Sequence, residues 1–278
     1  MRIVIAGGKG LIGKNIIPHL SNFYECIPLG VDEWDVTDEK IGRKVLESFK
    51  PDVVINLAAL TDVDGCEEMI ELAQKVNIKG AECVARLCAE YGIALIYFST
   101  DYVFNGEKRS PYVEEDIPQP LSVYGMTKLE GERRVSSIHP KPLIIRTQWI
   151  YGNGGENFIT KIIDIATREG VVKVVDDQFG SPTYAKDLAE PIRLLIELRK
   201  AGIYHVVNSG ICSWYGLAKE VFRIRNIPVD VIPLSSEELR RKAKRPSFSA
   251  LSTGKLRKDT GYTLRSWKDA LKEYLSEI

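Results

Sequence analysis

What the chain lacks narrows its chemistry first. Its 278 residues carry 38 basic and 38 acidic side chains, so no net field draws it toward nucleic acid or an anionic membrane, and any anionic ligand must be held by local groups. The longest near-continuous apolar stretch, Val53 to Leu60, is interrupted by Asn56 and falls far short of the roughly 18 residues that span a bilayer. The opening Met1-Arg2-Ile3-Val4-Ile5-Ala6 runs straight into glycines, without the apolar region or cleavage site of a secretory leader. Cys26, Cys66, Cys83, Cys88 and Cys212 are odd in number, scattered and never in a Cys-x-x-Cys pair, which argues against a disulfide framework or a zinc site. They read as reduced thiols, and the expected compartment is the cytoplasm. His19, His139 and His205 show no metal-ligand spacing, and no metal site is expected. With 44% apolar and 27% charged residues, the usage is that of an ordinary globular protein.

What is present is a rhythm. Short apolar runs at Arg2-Ala6, Glu25-Leu29, Asp52-Leu57, Ala94-Ser99 and Leu143-Thr147 alternate with amphipathic segments at Leu11-Leu20 and Ala73-Tyr91. Runs apolar on both faces suit a parallel sheet covered by helices on each side. The expected fold is α/β, a doubly wound parallel sheet (Rossmann) over residues 1–150, with a smaller C-terminal α/β substrate lobe over 151–278. In that lobe the strand-like pieces are Val171-Val175, Tyr204-Asn208 and Val229-Pro233. No linker separates the halves, so they are expected to share an interface, to exchange segments and to hold the ligand between them.

Gly7, Gly10 and Gly13 form Gly-x-x-Gly-x-x-Gly directly after the first strand, where a helix opens. Glycines there allow a tight turn and let backbone N–H groups approach a pyrophosphate at a positive helix end. In the usual arrangement an acid at the end of the second strand binds the ribose hydroxyls of NAD. Here that strand ends at Leu29-Gly30, with Asp32 and Glu33 the nearest carboxylates, so both NAD and NADP stay open. Asp35 and Val36 are placed either to cap the adenine or to form a solvated turn.

Tyr124 and Lys128 lie four apart on one face of a helix expected to start near Ser122. A phenol titrating near 10 is a poor acid–base group at neutrality until a nearby cation stabilises its phenolate, and Lys128 can supply that cation. Thr100 follows the fourth strand's carboxyl end, where ligands of open α/β sheets collect, and can hydrogen-bond a substrate carbonyl.

Taken together, glycine turn, strand-end hydroxyl and Tyr-Lys pair follow the order and spacing of the extended branch of the short-chain dehydrogenase/reductase superfamily, which the sequence resembles over nearly its whole length. Finer motifs are Ser99-Thr100-Asp101-Tyr102-Val103-Phe104-Asn105-Gly106, Glu130-Gly131-Glu132 after the Tyr-Lys pair, and Arg146-Thr147-Gln148-Trp149-Ile150-Tyr151. With Asp177-Gln178-Phe179-Gly180-Ser181-Pro182-Thr183 and Arg245-Pro246, they resemble the dTDP-4-dehydrorhamnose reductase family. That resemblance implies reduction of a 4-keto nucleotide sugar by NADP or NAD in its reduced form, with Tyr124 as proton donor, Lys128 on the nicotinamide ribose and lowering the Tyr124 pKa, and Thr100 polarising the carbonyl. It also implies that Leu11, Ile12, Ala58 and Ala59 join the glycines around the coenzyme. Thr61, Val63 and Asp64 would flank the sugar, Tyr102 and Trp149 would pack on the sugar nucleotide, and Asn157 and Arg245 would contact its far side. Trp149 could equally be a core aromatic, and Asn77 either orders water near Lys128 or is an ordinary helix residue. Asn15 replaces a glutamate through which some members hold Mg²⁺ between subunits, so a metal-bridged dimer is not expected, and the chain is read as a monomer or homodimer. The basic run Arg240-Arg241-Lys242-Lys244-Arg245 reads as a solvated helix rather than a nucleic-acid site, Arg245 excepted. Two further readings stay open: another nucleotide-sugar epimerase or reductase, and a non-catalytic regulatory subunit of the methionine adenosyltransferase type.

Overall fold

The computed structural model describes residues 1–278. The strands β1 (Arg2–Ala6), β2 (Glu25–Leu29), β3 (Val53–Asn56), β4 (Ala94–Thr100) and β5 (Leu143–Thr147) form a parallel sheet with a sixth strand, Gly202–His205. The order across the sheet is Gly202–His205, β5, β4, β3, β1, β2. The chain goes outward from β1 to β2 and then returns to β3 on the other side of β1. That reversal leaves a crevice at the carboxyl ends of β1 and β3.

Alternation along each strand loads both faces. Val4, Val54, Leu95 and Ile144 face one cluster with residues of α2 (Glu39–Phe49) and Val84, Leu87 and Cys88. Ile3, Ile5, Ile55, Ile96 and Ile145 face the other with Ile16 and Leu20 of α1 (Leu11–Leu20). Burial on both faces is why these runs are continuously apolar.

The helix expected over Ala73-Tyr91 is interrupted. After α3 (Val63–Glu68) and α4 (Ile70–Gln74), Lys75–Gly80 is a π-helical segment, and α5 (Ala81–Tyr91) continues from it. Such widened turns tend to mark functional places. Here Asn77 accepts a hydrogen bond from the Leu60 N–H at 2.9 Å and donates to Leu60 O and Thr127 Oγ1, both at 3.1 Å. It ties the loop after β3 to α6 (Val123–Ile138).

The smaller lobe packs α7 (Phe158–Glu169) and the C-terminal helix Trp267–Glu277 around Tyr151, Val172 and Val174. The parallel pair Val171–Val175 and Asp230–Leu234 lies at its side. Residue 150 is not a packing boundary, however. From the second half, α8 (Ala189–Glu197) buries Ile192 and Leu195 beside Ile16, and Gly202–His205 joins the first sheet. The sixth strand also begins and ends earlier than the expected Tyr204-Asn208. α9 (Trp214–Arg225) then returns to the smaller lobe.

The basic run is not a helix. A short turn of helix ends at Leu239, Arg240 takes a left-handed conformation (φ 48°), and the following residues form an irregular strap. Arg241 and Arg245 pair with Asp64, and Lys242 with Glu68. Carboxylates of α3 thus hold three of its five cations, while Arg240, Arg241, Lys242 and Lys244 remain exposed to solvent.

Candidate active site

The crevice opens into a cleft of about 920 Å³. At its head, Gly7 has φ +71°, and a Cβ there would lie 2.8 Å from the Ala58 nitrogen. The turn and the loop after β3 therefore touch through bare backbone. A Cβ on Gly13 would run into the Gly8 carbonyl oxygen, so α1 can close onto the turn only with glycine at that position. No side chain caps the start of α1, which leaves its first N–H groups free for an anion. Ser99 Oγ and Thr147 Oγ1 also border the cleft, buried and without hydrogen-bond partners. A glycine cradle, an uncapped helix and unspent hydroxyls fit a dinucleotide beside a polar ligand.

The reactive side is set by α6. Ser122 caps it by accepting from the Gly125 N–H at 3.2 Å, and a Cβ on Gly125 would strike the Tyr102 carbonyl oxygen. That close approach brings Tyr124 and Lys128 into the cleft beside Thr100. Lys128 is 3% exposed, with its Nζ 4.2 Å from the centre of the Tyr97 ring. Burial pulls its ammonium down to about 7, opposed by the charge of Glu132 one helical turn on. Glu132 is held by a buried two-pronged pair with Arg146, at 2.9 and 2.7 Å.

The Tyr124 phenol departs from expectation. Burial pushes it above its ordinary value, the Thr100 hydroxyl beside it works the other way, and Asp101 and Tyr102 push it further up. Thr100 Oγ1 donates to Asp101 Oδ1 at 3.0 Å and accepts from the Tyr102 N–H at 3.2 Å. Asp101 is 1% exposed and pushed up to about 6 by burial, against the pull of Ser249, Thr100 and Gln148.

Most expected residues converge. Gly7, Gly10, Leu11 and Ile12 border the cleft with Asp35 and Val36. Ala58, Ala59 and Thr61 line it from the loop after β3, Val63 from the start of α3, and Tyr102 and Trp149 from the far side. Four residues are elsewhere. Gly13 packs under the turn. The Asn157 amide is spent on capping α7, accepting from the Ile159 and Thr160 N–H groups and donating to the Tyr274 hydroxyl. Asp64 and Arg245 bind each other at 2.9 and 3.1 Å. Burial alone would raise the Asp64 carboxyl, but Arg245, the Ala243 N–H and Arg241 hold it well below the usual carboxylate range. The Asn15 amide donates to Leu11 O and Asn153 O.

Sequence reasoning missed Trp214. It opens α9, stacks on Trp149 with ring centres 3.7 Å apart and planes 11° apart, and borders the cleft. Trp149 itself sits at φ +48°, a conformation rare for a bulky residue. Nothing near Trp214 in sequence signals the site. Lys9 and Asp101 were also passed over, although each lies inside a motif already singled out.

Fold and cleft together define a Rossmann-type dinucleotide-binding protein of the short-chain dehydrogenase/reductase class. A family model described as RmlD substrate binding domain matches residues 1–278, and the chain belongs to that family. It is 37% identical to the spore coat polysaccharide biosynthesis protein SpsK of Bacillus subtilis (strain 168), covering 99% of this chain and 97% of that one. A crystal structure of a dTDP-4-dehydrorhamnose reductase from Clostridium acetobutylicum ATCC 824 matches with TM-score 0.96 at 41% identity, over 100% of this chain and 99% of that one. A dTDP-4-dehydrorhamnose reductase from Bacillus anthracis str. Ames, solved in complex with NADP, matches with TM-score 0.97 at 37% identity and the same coverage.

Proposed function

We propose that the chain is an NAD(P)H-dependent reductase that converts the 4-keto group of dTDP-4-dehydro-L-rhamnose to the alcohol of dTDP-L-rhamnose. The observation that carries this reading is the placement of half-buried Tyr124 and buried Lys128, one helical turn apart, in the cleft that begins at the glycine turn. Relatives named for this reaction align over the whole chain.

The glycine turn and the start of α1 bind the pyrophosphate, and Lys128 holds the ribose next to the reacting ring. Bound NAD(P)H supplies the hydride to the keto carbon. Burial keeps the Tyr124 hydroxyl protonated at neutral pH, so the phenol enters the reaction as a donor. As the carbonyl oxygen becomes an alkoxide, Tyr124 Oη gives up its proton to it, and one hydride plus one proton complete the alcohol. The phenolate left behind is stabilised by the Lys128 ammonium. Thr100 can polarise the same oxygen once its hydroxyl turns from Asp101 to the substrate. Thr61, Val63, Tyr102 and Trp149 surround the sugar nucleotide, while Asp64 and Arg245 act on it through the strap. On this reading the enzyme works in the cytoplasm as a monomer or homodimer, with neither a nucleic-acid partner nor a membrane anchor.

The test is oxidation of NADPH and NADH with the 4-keto nucleotide sugar. Tyr124→Phe is expected to lose about 10²–10⁴-fold in turnover while binding coenzyme as tightly as the parent. Unchanged turnover would remove Tyr124 as the acid.

A further inference from the structure

A buried ammonium needs a counterpart, because burial drives an unpartnered lysine toward its neutral form. The obvious counterpart for Lys128 is already taken. Glu132 stands one helical turn on, but both of its carboxylate oxygens accept from Arg146, in a pair almost sealed from solvent. Lys128 itself forms neither an ion pair nor a hydrogen bond within the chain. What lies against it is an aromatic face. The 4.2 Å from its Nζ to the centre of the Tyr97 ring is well inside the roughly 6 Å over which the negative face of a ring attracts a cation.

The fold is shaped to keep that ring in place. Tyr97 lies on β4, buried in the cluster that holds Val54 of β3 and Ile144 of β5. A Cβ on Gly131 would strike both the Tyr97 hydroxyl oxygen and the Asn77 carbonyl oxygen, so α6 can cross the phenol this closely only because residue 131 has no side chain. The same hydroxyl donates to Asn77 O in the π-helical segment, at 3.5 Å. The ring is thus wedged between β4, α6 and the widened turn, while Lys128 approaches it from the same side of α6 as Gly131. The other titratable groups on these elements are Tyr124 on α6, Asp101 after β4 and Arg146 on β5, and none pairs with Lys128. Lys75 and Lys79 of the π-helical segment are exposed.

We propose that Tyr97 is the positioning residue for Lys128: the face of its ring keeps the ammonium charged and holds it at the cleft, where it meets the coenzyme ribose and the phenolate left on Tyr124. The inference rests on the reductase reading above, which gives Lys128 those two tasks. Glu132 acts from further off, its charge largely offset by Arg146, so the ring is the group in contact.

Titration of Lys128 in the coenzyme-free protein tests it without turnover, followed by the ¹³Cε shift of labelled lysine and assigned by the signal lost in Lys128→Met. Tyr97→Phe keeps the ring face and should leave the midpoint within about 0.3 pH unit of the parent. Tyr97→Leu removes the face and should lower the midpoint by about one pH unit. The pH above which kcat/KM for the keto sugar falls should drop with it. Leucine leaves part of the ring's volume empty, so the ring is also varied in place. Phenylalanine carrying one, two or three fluorines at residue 97 keeps the shape and weakens the negative face, and the midpoint should fall in step with fluorine number. A midpoint unmoved by fluorination, or moved as far by Tyr97→Phe as by Tyr97→Leu, would overturn the role of the ring while the reductase reading stands. A parent inactive on the keto sugar with either coenzyme would overturn both.

Discussion

Two walls of the molecule, one lining the cleft and one fastened outside it, treat charge in opposite ways. On the α6 side, Lys128 and Asp101 are buried beside hydroxyls, amides and an aromatic ring, and burial shifts each toward its neutral form. On the strap side, Asp64 is surrounded by Arg245, Arg241 and a backbone N–H, and stays ionised. The first arrangement keeps groups poised to exchange protons and costs stability. The second holds the C-terminal strap to α3 and contributes stability. A group shifted toward its neutral form inside a cleft can exchange a proton with a ligand, whereas an ion satisfied by its partners fastens the scaffold.

Replacing Lys128 gives the sharpest contrast. In the folded protein its ammonium titrates near 7, against about 10.4 for an unfolded chain. Between those values the unfolded state binds more protons, so this residue makes stability rise with pH there and costs most below pH 7. Lys128→Met, similar in volume, is therefore expected to be more stable than the parent by a few kcal/mol at pH 6. That advantage should fade as pH climbs toward about 10, even though turnover collapses. Urea unfolding of both proteins at pH 6, 8 and 10 checks this. A difference that does not change with pH would mean that Lys128 is not desolvated.

Asp64→Asn should move stability the other way. Its carboxyl sits below the ordinary value in the folded state, so its contribution is fully present above about pH 4 and is lost as pH falls further. Side-chain exposures of 23% for Asp64 and 14% for Arg245 place the pair between the exposed and buried limits, and the expected loss is about 1–2 kcal/mol at pH 7. The gap between variant and parent should narrow at pH 3. Because the strap meets α3 next to Val63 and Tyr102, KM for the nucleotide sugar should rise while kcat changes little. A kcat loss as large as that of Tyr124→Phe would merge the two walls into one catalytic unit.

The α6 wall was also the legible one, and for a physical reason. Strand-end residues, a helix turn of Tyr124 and Lys128, and a glycine turn are all local patterns, readable from spacing because the backbone periods place them. The sheet was readable likewise: Ile3 and Ile55 on one face and Val4 and Val54 on the other are apolar because helices cover both faces. The strap wall depends on contacts between residues far apart in sequence. Asp64 meets Arg245 across 181 positions, and a run of arginines and lysines gives no sign of which carboxylates will satisfy it. The return of Gly202–His205 to the first sheet was hidden for the same reason. Its placement is decided by β5 and by the packing of the preceding α8 on α1, and both β5 and α1 lie far away in sequence. Asn157 was misplaced because an asparagine before an amphipathic run is equally a helix cap, and the capping geometry consumes its amide.

Trp214 tests whether the smaller lobe acts on substrate at all. It lies against Trp149 and, at 4.5 Å between ring centres, against Phe158, so the stack joins the end of β5 to α7 and α9. Removing it exposes one face of Trp149 and frees a residue held at φ +48° to leave that conformation. Trp214→Ala should raise KM for the nucleotide sugar about three- to tenfold, the effect of losing one aromatic face, and leave coenzyme affinity as in the parent, since the glycine turn is untouched. Trp214→Phe should recover most of the loss. A fall in coenzyme affinity with KM for the sugar unchanged would instead place the aromatic stack on the dinucleotide, and the division of labour between the two lobes would have to be redrawn with Trp149 on the coenzyme side.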